Sequence, residues 1–105
     1  MKVPFRRVIL VSLLLPLGSV AGPLDGAAIY TGKTCATCHG IDGDTPTQSD
    51  YPRLGGQSAD YVYAQMIDIK SGERNNRQSA AMRPVMNVVS EAEMRAMADW
   101  LATLK

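Results

Sequence analysis

The chain has 105 residues, of which 46% are hydrophobic and 20% are charged, with 11 Lys and Arg against 10 Asp and Glu. This length suits one small domain and excludes a multidomain enzyme. A formal net charge of +1 argues against a nucleic-acid-binding protein, which needs a basic surface. The hydrophobic fraction argues against a disordered chain.

The first 21 residues have the three parts of a secretory signal peptide. Three basic residues stand near the start, residues 8–17 are almost entirely apolar, and Ser19-Val20-Ala21 places small residues where a signal peptidase requires them. The apolar run is short for a membrane span, so an uncleaved N-terminal anchor is the lesser alternative. The sequence therefore predicts a signal peptide over residues 1–21 and one domain over residues 22–105.

The predicted mature domain is small and slightly acidic. Without Lys2, Arg6 and Arg7, its 84 positions contain 8 basic and 10 acidic residues, which gives a formal charge of −2. A chain of this size buries little apolar surface and usually depends on disulfides, a metal or a cofactor for stability. Only two cysteines are available for such a role, and they are three positions apart.

The first predicted helix spans residues 24–34 and runs directly into Cys35-Ala36-Thr37-Cys38-His39, which contains both cysteines and the only histidine. C-x-x-C-H is the attachment motif of c-type haem. The spacing lets the thiols of Cys35 and Cys38 reach the two vinyl groups of haem from one helical turn and form thioethers. The adjacent His39 then offers its imidazole to one axial face of the iron.

Three other uses of this motif each lack a required partner. A disulfide between Cys35 and Cys38 would close a very short loop and stabilise little. A thioredoxin-like redox pair favours a βαβ context, and no strand pattern surrounds the motif. A zinc site would need a fourth ligand, and the chain has no further cysteine or histidine.

The middle of the chain is predicted to be a loop followed by a capped helix. Glycines and prolines punctuate residues 40–57, which is typical of a loop that wraps around something. Ser58 is the predicted N-cap and Gly72 the predicted C-cap of the helix between them. The polar residues 73–80 are predicted to be exposed.

Without a second histidine, the second axial ligand of the iron is sought among the methionines, lysines and tyrosines. Three methionines lie in helical patterns, where methionine usually fills the core. Met82 and Met86 lie in a non-periodic stretch, and Pro84 disfavours helix there. A loop across the distal face of haem suits a ligand, so Met82 is the predicted ligand and Met86 the alternative.

The last predicted helix begins with a capping box formed by Ser90 and Glu93. Its apolar side chains recur mainly along one face, at Met94, Met97, Ala98, Trp100, Leu101 and Leu104. A two-stranded element around residues 85–89 is an alternative parse of the segment before this helix. No other part of the chain alternates apolar and polar residues as a β-strand would, so the predicted fold class is all-α.

Four segments in this order resemble class I c-type cytochromes, particularly the small bacterial periplasmic c4, c5 and c553 types. They are the haem motif with its following glycine, residues 51–57, residues 61–72 with their final Lys-x-Gly, and Met82-Arg83-Pro84 before the last helix. The resemblance covers residues 24–104.

The resemblance implies a small cytochrome c fold, all-α, with three to four helices wrapped around one covalently attached haem. Cys35 and Cys38 would hold this haem c through two thioethers, and His39 and Met82 would be the axial ligands of its iron. The carbonyl of Pro52 would accept a hydrogen bond from the proximal histidine, which fixes the imidazole tautomer.

Two points stay open within this resemblance. The aromatic residue of the first helix usually stands four positions before the first cysteine, but Tyr30 stands five before it, which leaves the packing register of that helix undetermined. Arg53, Arg77 and Arg83 are equal candidates for neutralising the haem propionates, and Tyr61 could hydrogen-bond one.

The function that the resemblance implies is one-electron transfer in the bacterial periplasm, with membrane or periplasmic redox proteins as partners and no catalytic site. The alternatives are a haem-bearing subunit of a larger dehydrogenase or oxidase complex, and a ligand-binding or peroxidase-like haem protein with an open distal position. We further expect no membrane span after signal removal, no nucleic-acid partner, and a monomer or weak dimer.

Overall fold

The computed structural model describes residues 2–4, 8–12 and 24–104, so the predicted cleavage site at Ser19-Val20-Ala21 lies outside the described residues. The described helices are α1 (Gly26–Gly32), α2 (Cys35–His39), α3 (Ala59–Ser71), α4 (Ser79–Met86) and α5 (Glu91–Ala102). The described residues contain no strand, which confirms the all-α class and makes the strand alternative around residues 85–89 wrong. None of these helices combines the length and hydrophobicity that crossing a membrane requires.

The continuous first helix predicted over residues 24–34 is divided in two. The side chain of Asp25 caps α1 by accepting a hydrogen bond from the Ala28 N–H at 3.1 Å. The helix ends at Gly32, and Thr34 takes a left-handed conformation with φ of 66° before α2 begins. This break accommodates the additional residue between Tyr30 and the first cysteine. Together with α4, which lies where a loop was predicted, it accounts for five described helices where three to four were predicted.

The caps predicted for the two longest helices are confirmed. The hydroxyl of Ser58 accepts from the backbone N–H of Tyr61 at the start of α3, and Gly72 ends that helix with φ of +88°. At the start of α5, Ser90 and Glu93 each accept a hydrogen bond from the other's backbone N–H, at 3.1 and 3.0 Å. These caps satisfy donors that helix termini otherwise leave without a partner.

The helix α5 is the centre of the packing. Both α1 and α3 pack against it, α4 packs against α3, and α2 packs against α1. Four of the six residues on its predicted apolar face are buried, while Trp100 and Leu104 are half-buried. The ring of Tyr30 lies 5.1 Å from that of Trp100, so α1 still packs on the last helix despite the additional residue.

Met82 and Met86 lie in α4, and the loop predicted for them is therefore wrong. Pro84 is the sixth residue of this helix, so it removes the backbone donor that would otherwise meet the carbonyl of Ala80 one turn earlier. The helix gains in return by burying Ser79 and Met86, which lie at its two ends. Tertiary packing thus outweighs the local preference of the residue before proline.

Candidate functional site

The helix α2 is a single turn that presents three reactive side chains. The Cys35 sulfur is free and half-buried, 4.0 Å from the sulfur of Met97 in the core. The Cys38 sulfur is also free and the residue is exposed, whereas His39 is only 3% exposed. One helical turn therefore places two thiols and one imidazole next to each other, as the motif predicts.

The tautomer of His39 follows from its hydrogen bond. Its Nδ1 lies 3.0 Å from the carbonyl oxygen of Pro52, and because a carbonyl can only accept, Nδ1 carries the proton. Burial lowers the pKa of His39, partly opposed by the bond to Pro52, and this favours the neutral imidazole. The lone pair on Nε2 is then available to a metal, with the ring orientation fixed by the carbonyl behind it.

The loop of residues 40–57 brings Pro52 to this position. The carbonyl oxygen of Gly43 accepts from the N–H groups of both Leu54 and Gly55, at 2.8 and 2.9 Å. The N–H of Gly56 donates to the Leu101 carbonyl and ties the loop to α5. The loop therefore folds back on itself directly after Pro52, consistent with its predicted wrapping role.

Tyr30 anchors the other end of the motif. Its hydroxyl donates a 2.5 Å hydrogen bond to the carbonyl oxygen of Gly40, directly after His39. Burial raises the pKa of Tyr30 to about 12, so the hydroxyl remains a donor at neutral pH. No sequence signal pointed to this bond, because it joins residues whose distance depends on the break between α1 and α2.

A cavity of about 450 Å³ opens beside α2. Its wall is mainly apolar and is formed chiefly by α2, the 40–57 loop, α3, the α3–α4 connection and α4, with further side chains from α1 and α5. Its volume lies within the range of about 300–1,000 Å³ typical of cofactor pockets. Since α2 packs on α1 and α4 packs on α3, without contact between α2 and α4, these two helices contribute to the cavity from different sides of the fold.

Methionine side chains enter this cavity from several elements. On α4, Met82 and Met86 lie one helical turn apart and both line the cavity. Met86 is only 2% exposed and belongs to the hydrophobic core, whereas Met82 is half-buried and packs against that core. Met66 of α3 and Met97 of α5 also line the cavity, although their helical spacing predicted core positions.

The arginine candidates separate into two groups. Arg77 lines the cavity, together with Arg74, which sequence reasoning missed. Arg53 instead lines a more polar groove beside the cavity, and the Arg83 guanidinium lies against Gly72 and donates to the Ser71 carbonyl at 3.4 Å. Tyr61 lines the cavity with 55% of its surface exposed.

The donor set of this cavity fits haem. Two thiols on one turn can form its thioethers, a buried imidazole offers a free Nε2, and thioethers line the wall contributed by α4. The apolar wall suits a large, flat, mostly hydrophobic macrocycle. Cys35, Cys38 and His39 are thus brought together as predicted, and Met82 shares their cavity.

Comparison of the sequence with known proteins places the chain in a protein family. The family model described as Cytochrome c matches residues 24–105. The chain is similar to cytochrome c-553 from Nitratidesulfovibrio vulgaris, with 34% identity over 86 residues that cover 82% of each protein. It is also 36% identical over 101 residues to cytochrome c4 from Pseudomonas aeruginosa, which covers 92% of this chain and 48% of that protein.

Similarity extends to solved structures. The crystal structure of reduced recombinant cytochrome c4 from Pseudomonas stutzeri matches with a TM-score of 0.67 and 26% identity, over 76% of this chain and 46% of that chain. The chain therefore spans about half the length of the cytochrome c4 relatives that it matches.

Proposed function

Because the chain belongs to the cytochrome c family, whose haem c is covalently attached, we propose that it is a periplasmic one-electron carrier with His39 and Met82 as axial ligands. The observation that supports this proposal is a single apolar cavity lined by the imidazole of α2 and by the thioether of α4. When bound, haem supplies a one-electron iron couple.

The protein's role in this proposal is to hold both ligand side chains in place. The Pro52 carbonyl fixes the imidazole of His39 and raises its basicity. Met82 supplies a soft thioether, which favours the reduced state and raises the reduction potential. If both side chains stayed bound in the two oxidation states, little rearrangement would accompany a change of charge, and neither axial position would be open to a substrate.

We also propose where the protein works and what it meets. The basic, apolar and small-residue parts of residues 1–21 support export to the periplasm. The partners would be membrane or periplasmic redox proteins that meet it through a small transient interface. Ile41, two positions after His39, is 89% exposed and suits such a contact.

The first test is an optical spectrum of the exported protein, reduced and oxidised, combined with extraction by acid–acetone. We expect haem that stays with the protein, sharp reduced bands, a weak far-red band of thioether ligation when oxidised, and a reversible one-electron voltammetric wave. Extractable haem, or its absence, would refute the proposal. Tight co-fractionation with an oxidoreductase would instead assign the chain to a complex as a subunit.

A pair of variants tests the ligand. Met82→Ala should abolish the far-red band and lower the midpoint potential, because the thioether ligand is lost. Met86→Ala should keep the band but lower the free energy of unfolding by about 2–5 kcal/mol, because it removes a buried core side chain. The reverse pattern, measured by absorbance and denaturant unfolding, would assign the ligand to Met86.

A further inference from the structure

Two lysines bind neighbouring carbonyl groups in the connection between α4 and α5. The Nζ of Lys33 donates a 2.9 Å hydrogen bond to the carbonyl oxygen of Val88. The Nζ of Lys70 donates to the next carbonyl oxygen along the chain, that of Val89. Carbonyls that follow the last turn of a helix have no helical partner, and lysine ammonium groups satisfy them with charged hydrogen bonds.

The two lysines come from separate elements, and both are half-buried. Lys33 is the C-cap of α1, and Lys70 lies in the last turn of α3. The Nζ of Lys33 also lies 3.8 Å from a carboxylate oxygen of Glu93, whose other oxygen accepts from the Ser90 N–H at the start of α5. The α4–α5 connection is therefore linked to α1, α3 and α5 together.

These bonds matter because α4 has few other attachments. Among the described helices it packs only on α3, yet it contributes Met82 to the cavity wall. A helix that is held along one side can move as a unit about the segment at its end, and the lysines hold both carbonyls of that segment. Lys33 stands two positions before Cys35, so its bond joins the segment that would attach haem to the segment next to the methionine helix.

We propose that Lys33 and Lys70 are positioning residues for the distal ligand: they oppose movement of α4 away from haem and so keep the thioether of Met82 at the iron. This inference rests on the proposed function, since it requires haem in the cavity. Because Met86 lies on the same helix, the role of the lysines is the same whichever methionine is the ligand. Loss of the two bonds raises the fraction of molecules in which the distal position is open.

The test is an imidazole titration of the oxidised holoprotein, followed by the far-red band, for Lys33→Met, Lys70→Met and the double variant. Imidazole competes with the thioether and binds only where α4 has moved away, so its apparent affinity reports the open fraction. Methionine keeps an unbranched apolar side chain and removes the ammonium group. We expect a higher affinity in each single variant and an increase of roughly tenfold in the double variant, which corresponds to about 1.4 kcal/mol.

The matched control is Arg95→Met, which also replaces one cation by methionine. It breaks the ion pair of Arg95 with Asp60, which joins α5 to α3, and the pair with Asp99 within α5, and neither pair involves α4. We expect this control to bind imidazole with the affinity of wild type. Lys70→Arg keeps both the charge and the N–H donors, so its imidazole affinity should stay close to that of wild type.

Hydrogen exchange of the same holoproteins gives a second readout that does not use imidazole. The backbone amides of α4 should exchange faster in the lysine double variant, whereas those of α5 should keep their wild-type protection. Faster exchange in all helices would indicate general destabilisation and would overturn the positioning role. A wild-type spectrum without the far-red band would refute the proposed ligation itself. A wild-type band, with imidazole affinities equal in the double variant and Arg95→Met, would overturn only the role of the lysines.

Discussion

The hydroxyl of Tyr30 favours its neutral form in the folded protein. It is buried, it donates to the Gly40 carbonyl, and its pKa is raised to about 12 from an ordinary value of 10.0, chiefly by burial. A raised pKa means that the folded state holds this proton more tightly than the unfolded chain. Its contribution to stability is therefore complete below about pH 10 and is lost as pH rises through about pH 12.

Tyr30→Phe should lower the free energy of unfolding by about 1–2 kcal/mol at neutral pH, because the buried Gly40 carbonyl loses its donor. The variant should also lose less stability than wild type as pH rises above about 10. Tyr63→Phe is the control, since it removes a hydroxyl and keeps the ring beneath Arg95. Urea unfolding at several pH values measures the free energy of unfolding and its pH dependence. If wild type and Tyr30→Phe lost equal stability above about pH 10, the alkaline loss would not belong to Tyr30.

Among single residues, the sequence predicted functional side chains correctly where they lie next to each other along the chain. Cys35, Cys38 and His39 form one motif, and their side chains come from one helical turn in the structure. The Pro52 carbonyl could be expected only from the family resemblance, and the structure confirms its bond to the histidine. Arg74 was missed because its place in the cavity wall depends on how the α3–α4 connection folds, which no local pattern encodes.

The crossing of α1 over α5 depends on a residue without a side chain. A Cβ on Gly26 would collide with the carbonyl oxygen of Ala96 and stand 2.7 Å from the Cβ of Trp100, both on α5. Gly26→Ala should therefore destabilise the protein by roughly 1–3 kcal/mol through overpacking. Gly32→Ala at the end of α1 is the matched control, because its Cβ would meet no atom within 4 Å.

This control should stabilise the protein by roughly 0.5–1 kcal/mol, since alanine loses less backbone entropy than glycine in a helix. Denaturant unfolding of the two variants measures the difference, which isolates the contact from the general effect of adding a methyl group. Equal effects in both positions would show that the helix crossing tolerates a side chain at Gly26.

At the level of elements, prediction succeeded where caps and periodicity agreed. The helices α3 and α5 begin at the predicted serines, Ser58 and Ser90, because side-chain capping is a local interaction. The helix α4 was predicted as a loop because Pro84 is a strong local signal, whereas the burial of Met86 that offsets it depends on α3. The break at Thr34 was likewise hidden, since a left-handed threonine has no sequence signature.

Across the whole molecule, the core and the cavity are parts of one arrangement. Among the described residues, α1 and α3 both pack on α5, and Met86 of α4 joins their buried hydrophobic core, whereas α2 and α4 each pack on a single described helix and border the cavity. Haem attached to α2 would fill this cavity and connect the two helices that lack direct contact. Covalent attachment should therefore contribute to the stability of the fold as well as to its redox function.

Cys35→Ser with Cys38→Ser should leave the chain without covalent haem and largely unfolded, because the apolar cavity wall would be exposed to water. Cys38→Ser alone, with one thioether left to Cys35, should be intermediate. Circular dichroism and denaturant unfolding measure the helix content and its cooperativity. A double variant that unfolds cooperatively at the wild-type midpoint would show that the helix core is sufficient without its cofactor.

In the wild-type protein, hydrogen exchange should show that the backbone amides of α2 and α4 lose protection first, since each of these helices packs on only one other described helix.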